Sequence, residues 1–129
     1  MKRIYIAGPM TGLPAFNKPA FYEAEEHMRQ DGWITSNPAS NVLHPGHLRG
    51  DSIWQYYMRE AIKLLVPCSD IALLPGWMDS KGAKLEYLIA QNLGMTTWDY
   101  QDGELSMLGA RPSLETTIVM DTALPAGDV

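Results

Sequence analysis

Glu86 is where the chemistry of this 129-residue chain is most legible. On a helical wheel at roughly 100° per residue, Gly82, Leu85, Ile89, Ala90 and Leu93 form one apolar arc. Glu86 falls inside that arc, whereas Lys81, Lys84, Gln91 and Asn92 fall outside it. A carboxylate turned inward costs free energy unless it is paired or put to use. Its neighbours one helical turn away, Gly82, Ala83 and Ala90, are small and leave room around the carboxyl. Two roles follow: a reactive carboxylate beside a ligand, or a structural one bonded to a tyrosine hydroxyl or a backbone amide.

Ser80, Lys81, Gly82 and Ala83 open the same helix, and their free amides with the Ser80 hydroxyl make a natural anion site. Ser80 can equally be an N-cap and nothing more. The run Gly8-Pro9-Met10-Thr11-Gly12 brings backbone close to a ligand, yet lacks both the dinucleotide fingerprint and the Walker pattern. Tyr5 offers an apolar ring and a hydroxyl that seeks one partner. His44 and His47 with Asp51 sit in an irregular Pro-Gly loop without an obvious fourth ligand, so no metal site is expected. Trp54, Tyr56, Tyr57 and Trp77 suit a core or a dimer interface, and Trp77, in a loop at the strand ends, could stack on a base. Cys68, beside Pro67 at a helix end, reads as buried and inert. No serine occupies a nucleophile elbow.

Composition sets the frame for these residues. One domain fits the length. Ten basic and fifteen acidic residues give a formal charge of −5, which argues against a nucleic-acid polymer as partner. A small phosphate remains possible, because backbone amides hold it without net positive charge. One cysteine cannot form an internal disulfide, so a cytoplasmic location is expected. No run approaches the roughly 18 apolar residues of a membrane span, and Lys2-Arg3 before a short apolar run is no signal peptide.

The elements that must position the chemistry alternate along the chain. Lys2 to Ala7 reads as a buried strand stopped by Gly8-Pro9. Asn17 is the expected N-cap of a helix over Lys18 to Asp31, with Phe21, Ala24 and Met28 inward and Glu23, Glu25, Glu26 and Arg29 elsewhere. Trp33 to Asn37 makes a second strand, and Asp51 or Ser52 caps a second helix running to about Val66. Asp70 to Leu74 is the third strand, a helix from near Ser80 to Gly94 follows, and Met95 to Tyr100 is the fourth strand. Thr116 to Met120 is a candidate fifth. Strands separated by helices run parallel, so the expectation is an α/β fold: a doubly wound, flavodoxin-like parallel sheet of four to five strands, helices on both faces. The domain is expected over 1–122, with 123–129 a flexible tail.

With these residues assembled, the chain resembles the nucleoside 2-deoxyribosyltransferase-like superfamily, most of all its small, often phage-encoded branch. The segments that carry the resemblance are IYIAGPMTG (4–12), NPA (37–39), YMR (57–59), LLPGW (73–77) and SKGAKLE (80–86). Characterised members move a deoxyribosyl group between bases or, as nucleoside 5′-monophosphate N-glycosidases, transfer it to water. The resemblance implies Glu86 as nucleophile, Tyr5 as the tyrosine that orients it, and Ser80 as a phosphate- or sugar-contacting serine. It implies that the loop of Gly8, Pro9, Met10, Thr11 and Gly12 lines sugar and phosphate. Asn37, Trp77 and Gly82 complete the expected substrate-binding set.

One position departs from the pattern. The aspartate common two residues after the arginine of Y-M-R is Ala61 here, and Glu60 points roughly 100° away from it. Asp79 is the candidate stand-in. Thr11 also stands where the hydrolases tend to carry a basic residue. The expected function is N-glycosidic cleavage of a (deoxy)nucleoside 5′-monophosphate, with no metal or cofactor. The alternatives are a deoxyribosyltransferase, a non-catalytic nucleotide or ADP-ribose-type binder on account of Ala61, and an interaction domain using the aromatic second helix. A homodimer or higher homo-oligomer is expected, with Trp54, Tyr56 and Tyr57 supplying apolar area.

Overall fold

A computed structural model describes residues 2–42, 44 and 52–108. Five strands, β1 (Arg3–Ala7), β2 (Ile34–Ser36), β3 (Asp70–Leu73), β4 (Thr96–Gln101) and β5 (Glu104–Met107), form one sheet in the order β2-β1-β3-β4-β5. The first four are parallel, and β5 runs antiparallel to β4. Three helices connect them: α1 (Lys18–Gln30), α2 (Ile53–Leu65) and α3 (Lys81–Asn92).

Strand β1 shows why the sheet takes this form. Its side chains alternate between two faces, and both faces are apolar. Ile4 and Ile6 join Phe21, Ala24 and Met28 of α1. Tyr5 and Ala7 join Leu65 of α2 and Ala83, Tyr87 and Ala90 of α3. Helices therefore cover both faces, in the doubly wound arrangement. The chain leaves β1 for β2 on one side and later returns to β3 on the other, so the connections diverge at the carboxyl end of β1. A crevice opens there. Gly8, the first residue beyond β1, packs so closely that a Cβ would lie 2.8 Å from Leu74 Cβ.

Several local features differ from expectation. The fifth strand is β5, made by a hairpin in which Asp102 and Gly103 both take positive φ (51° and 82°). Asp-Gly is the turn such a tight hairpin favours. The segment Thr116 to Met120 and the 123–129 tail lie outside the described residues, as do His47 and Asp51. Asn17 does not cap α1 with its side chain. It sits at φ 58° after Ala15 and Phe16, at 51° and 52°, whereas an N-cap side chain works from extended backbone. Its Nδ2 instead donates to the Pro9 carbonyl at 2.9 Å, fastening the loop after β1. Ser52 does cap α2, in a reciprocal box with Gln55.

Glu25 lies inward, against expectation, 9% exposed on the α1 face. It accepts from Thr35 Oγ1 at 2.7 Å, Arg29 Nη2 at 3.1 Å and Asn37 Nδ2 at 3.3 Å. Three donors make that burial tolerable. No helix among the described residues is long and apolar enough to cross a membrane.

Candidate active site

The crevice at the carboxyl end of β1 holds a cavity of about 590 Å³, within the usual range for a small-molecule site. The loop after β1 supplies Gly8 to Thr11, α2 supplies Trp54, Tyr57 and Met58, and the start of α3 supplies Ser80 to Ala83 and Glu86.

Glu86 is 4% exposed. The buried face of α3 is Ala83, Glu86, Tyr87 and Ala90, so the wheel correctly turned Glu86 inward and misplaced Leu93, which is 54% exposed. Glu86 Oε2 accepts a short hydrogen bond from the Tyr5 hydroxyl on β1. Burial pushes the Glu86 carboxyl up to about 8, and the Tyr5 bond pulls it partly back down. Burial first, then the neighbouring Glu86 charge, hold the Tyr5 hydroxyl well above the ordinary phenol range. Tyr5 therefore keeps its proton and points it at the carboxylate.

The other buried carboxylates show what is unusual here. Glu25 has three side-chain donors, and Asp70 accepts from Ser69 Oγ and from Trp98 Nε1 at 2.8 Å. Both lie away from the cavity lining. Glu86 has one side-chain donor among the described residues and faces an open volume. Glu86, held by one side-chain donor, is the buried carboxylate that a molecule entering the cavity can meet.

Ser80 caps α3, its Oγ accepting from Ala83 N at 3.1 Å. The cap and an anion contact are compatible, since the amides of Lys81 and Gly82 at the helix start remain outside the intrahelical ladder. Lys81 Nζ lies 4.1 Å from the centre of the Trp54 ring, spanning the mouth from α3 to α2. A Cβ on Gly82 would come within 3.0 Å of Met58 Sδ, so a small residue suits this helix–helix approach.

Of the residues expected from sequence, the structure gathers Gly8, Pro9, Met10, Thr11, Asp79, Ser80, Gly82 and Glu86 around this cavity, with Tyr5 behind Glu86. Asp79 is exposed. Three of the expected substrate-binding residues are not in the lining. Gly12 is exposed beyond it. Asn37 is consumed structurally, donating to Glu25 and accepting from Ala39 N at 2.9 Å. Trp77 is 7% exposed and packs on Tyr87 with ring centres 4.8 Å apart, because Gly76, at φ 87°, turns the chain back into the core.

Helix α2 contributes cavity wall to which no residue pattern in the sequence pointed directly. Tyr56 is buried, in line with its core reading, and Trp54 and Tyr57 are half-buried in the cavity wall. Trp54, Tyr57, Met58 and Ala61 do recur at helical spacing. Periodicity reports a covered face but not whether protein or a cavity lies opposite. Ala61 is fully buried and is not in the cavity lining. Among the described residues, no three His, Cys, Asp or Glu side chains group to hold a metal ion. Cys68 is buried, its thiol donating to the Leu64 carbonyl at 3.2 Å and pushed up by burial.

Among curated proteins none matches the chain. Residues 2–99, which include β1 to most of β4 and every residue of the cavity, match the family described as a domain of unknown function, DUF4406. The match spans most of the chain, which therefore belongs to the DUF4406 family.

Proposed function

We propose that this protein is an N-glycosidase that cleaves the N-glycosidic bond of a (deoxy)nucleoside 5′-monophosphate, with Glu86 as nucleophile. The observation that carries the reading is the buried Glu86 carboxylate, oriented by Tyr5 and facing a substrate-sized cavity. In this reading the 5′-phosphate sits on the amides of the first turn of α3 and the Ser80 hydroxyl, near Lys81. The sugar lies over Glu86 against the Gly8–Thr11 loop. Glu86 attacks the anomeric carbon through an oxocarbenium-like transition state, and water then releases the sugar phosphate. The resemblance to the deoxyribosyltransferase-like superfamily brings a homodimer into the same reading.

Incubation with a panel of ribo- and deoxynucleoside 5′-monophosphates, followed by chromatography, is expected to show free base from at least one deoxynucleotide. Release that rises when a second base is added makes the protein a transferase. A second reading, a non-catalytic nucleotide binder, is favoured by the alanine at 61. Nucleotide-dependent thermal stabilisation without base release from any member of the panel identifies it and contradicts the glycosidase.

A further inference from the structure

Cleavage at Glu86 leaves one role open: the departing base carries negative charge unless a donor meets it. Position 61 is alanine, and Asp79 lies exposed at the rim. Two observations converge on Tyr57. First, a second cavity of about 330 Å³ adjoins the first, and the two share Met10, Thr11, Pro38, Trp54 and Tyr57. Its remaining wall is Phe16, Ala39 and Ile53 with Lys18 and Asn41, a mostly apolar lining with polar groups at its edge that suits a flat heterocycle. Tyr57 stands on the wall common to both. Second, its hydroxyl is held by Met10 Sδ at 2.8 Å and reaches the Pro38 carbonyl only at 3.4 Å. A thioether is a weak acceptor, so a ring nitrogen or carbonyl can take over this donor at little cost. Residue 57 is also four positions before 61, on the same face of α2, one turn away.

We propose that Tyr57 is a catalytic residue that meets the leaving base at the boundary between the two cavities and hands it a proton. This rests on the glycosidase reading. As the C1′–N bond breaks, its electron pair passes to the base, the Tyr57 proton follows, and Glu86 forms the C1′–O bond. Water then attacks C1′, its proton returns to the Tyr57 oxygen, and the carboxylate leaves restored. Burial, then the nearby Glu86 charge, push the Tyr57 hydroxyl up, so it is protonated at rest and strongly basic once its proton is gone.

The test compares a cleaved deoxynucleotide with the same sugar phosphate carrying p-nitrophenolate, which departs without a proton. In Tyr57→Phe, kcat for the nucleotide is expected to fall about 100-fold or more, while nitrophenolate release changes by less than about threefold. A series of fluorinated tyrosines at 57, graded in acidity and similar in size, is expected to change kcat for the nucleotide in step with phenol acidity while leaving nitrophenolate release unchanged. It carries the test by itself should the phenylalanine variant not fold. Equal losses on both substrates, or a nucleotide kcat indifferent to the acidity of the residue at 57, overturn the proposal. Failure of the unaltered protein to cleave either substrate overturns the glycosidase reading and this proposal with it.

Discussion

Glu86→Gln is expected to lower base release by about 10⁴-fold or more while leaving nucleotide affinity within about threefold. Glutamine keeps the volume and can still accept from Tyr5, so the variant removes the nucleophile and little else. The contacts assigned to the phosphate, the amides of the first turn of α3 and Ser80, lie away from the substituted atom. Ligand-dependent melting therefore measures affinity separately from turnover. A variant retaining a tenth or more of wild-type release would remove Glu86 from the chemistry.

The same substitution is expected to stabilise the protein, with an effect that grows with pH. The Glu86 value in the folded chain, about 8, lies above the ordinary 4.5. That is the reverse of the usual ion-paired carboxylate. Below pH 4.5 both folded and unfolded chains hold this proton, and the group adds no pH dependence. Between 4.5 and 8 the unfolded chain ionises freely and the folded one does not, so stability falls with rising pH. Above 8 the loss is complete, on the order of 5 kcal/mol, since each tenfold weakening of an acid corresponds to about 1.4 kcal/mol. Urea unfolding of both proteins at pH 4.5, 6.5 and 8.5 isolates this effect, because other titrating groups cancel in the difference. The stability difference is expected to widen steadily in favour of Glu86→Gln over that window, and a constant difference contradicts it. Catalysis runs the other way: kcat/KM for the unaltered protein is expected to rise with pH toward 8, as the carboxylate forms. Lost stability and gained reactivity are then two consequences of one buried charge, as is common where a site is built from groups that folding alone would not choose.

The fold was largely legible because both of its central strands carry no polar residue in their middles. Ile4 to Ala7 and Ile71 to Leu73 could only be buried on both sides, and the helices between them dictated parallel pairing. The β5 hairpin was missed because Glu104 to Met107 is an exposed edge with only Leu105 half-buried, leaving Asp102-Gly103 as its sole strong signal. Glu86 was legible for the opposite reason, a charge set among small and apolar residues at helical spacing. Asn37 and Trp77 lie outside the cavity lining, because proximity to a strand end says nothing of side-chain direction, and Trp77 takes the core place that was its other reading. Glu25, itself expected outside, captured Asn37, and Tyr87 captured the Trp77 ring. Tyr57 escaped as a site residue because its significance depends on a cavity shared by α2 and the β1 loop, which are far apart in sequence.

Trapping the glycosyl intermediate reaches the nucleophile directly. A 2′-fluoro-2′-deoxynucleoside 5′-monophosphate slows breakdown of the covalent species by destabilising the oxocarbenium-like transition state. Intact-protein mass spectrometry is expected to show one added fluorosugar phosphate per chain, and peptide mapping to place it on the Glu86 carboxylate. An adduct on any other residue, or base release from this analogue with no adduct at any time, contradicts Glu86 as the nucleophile.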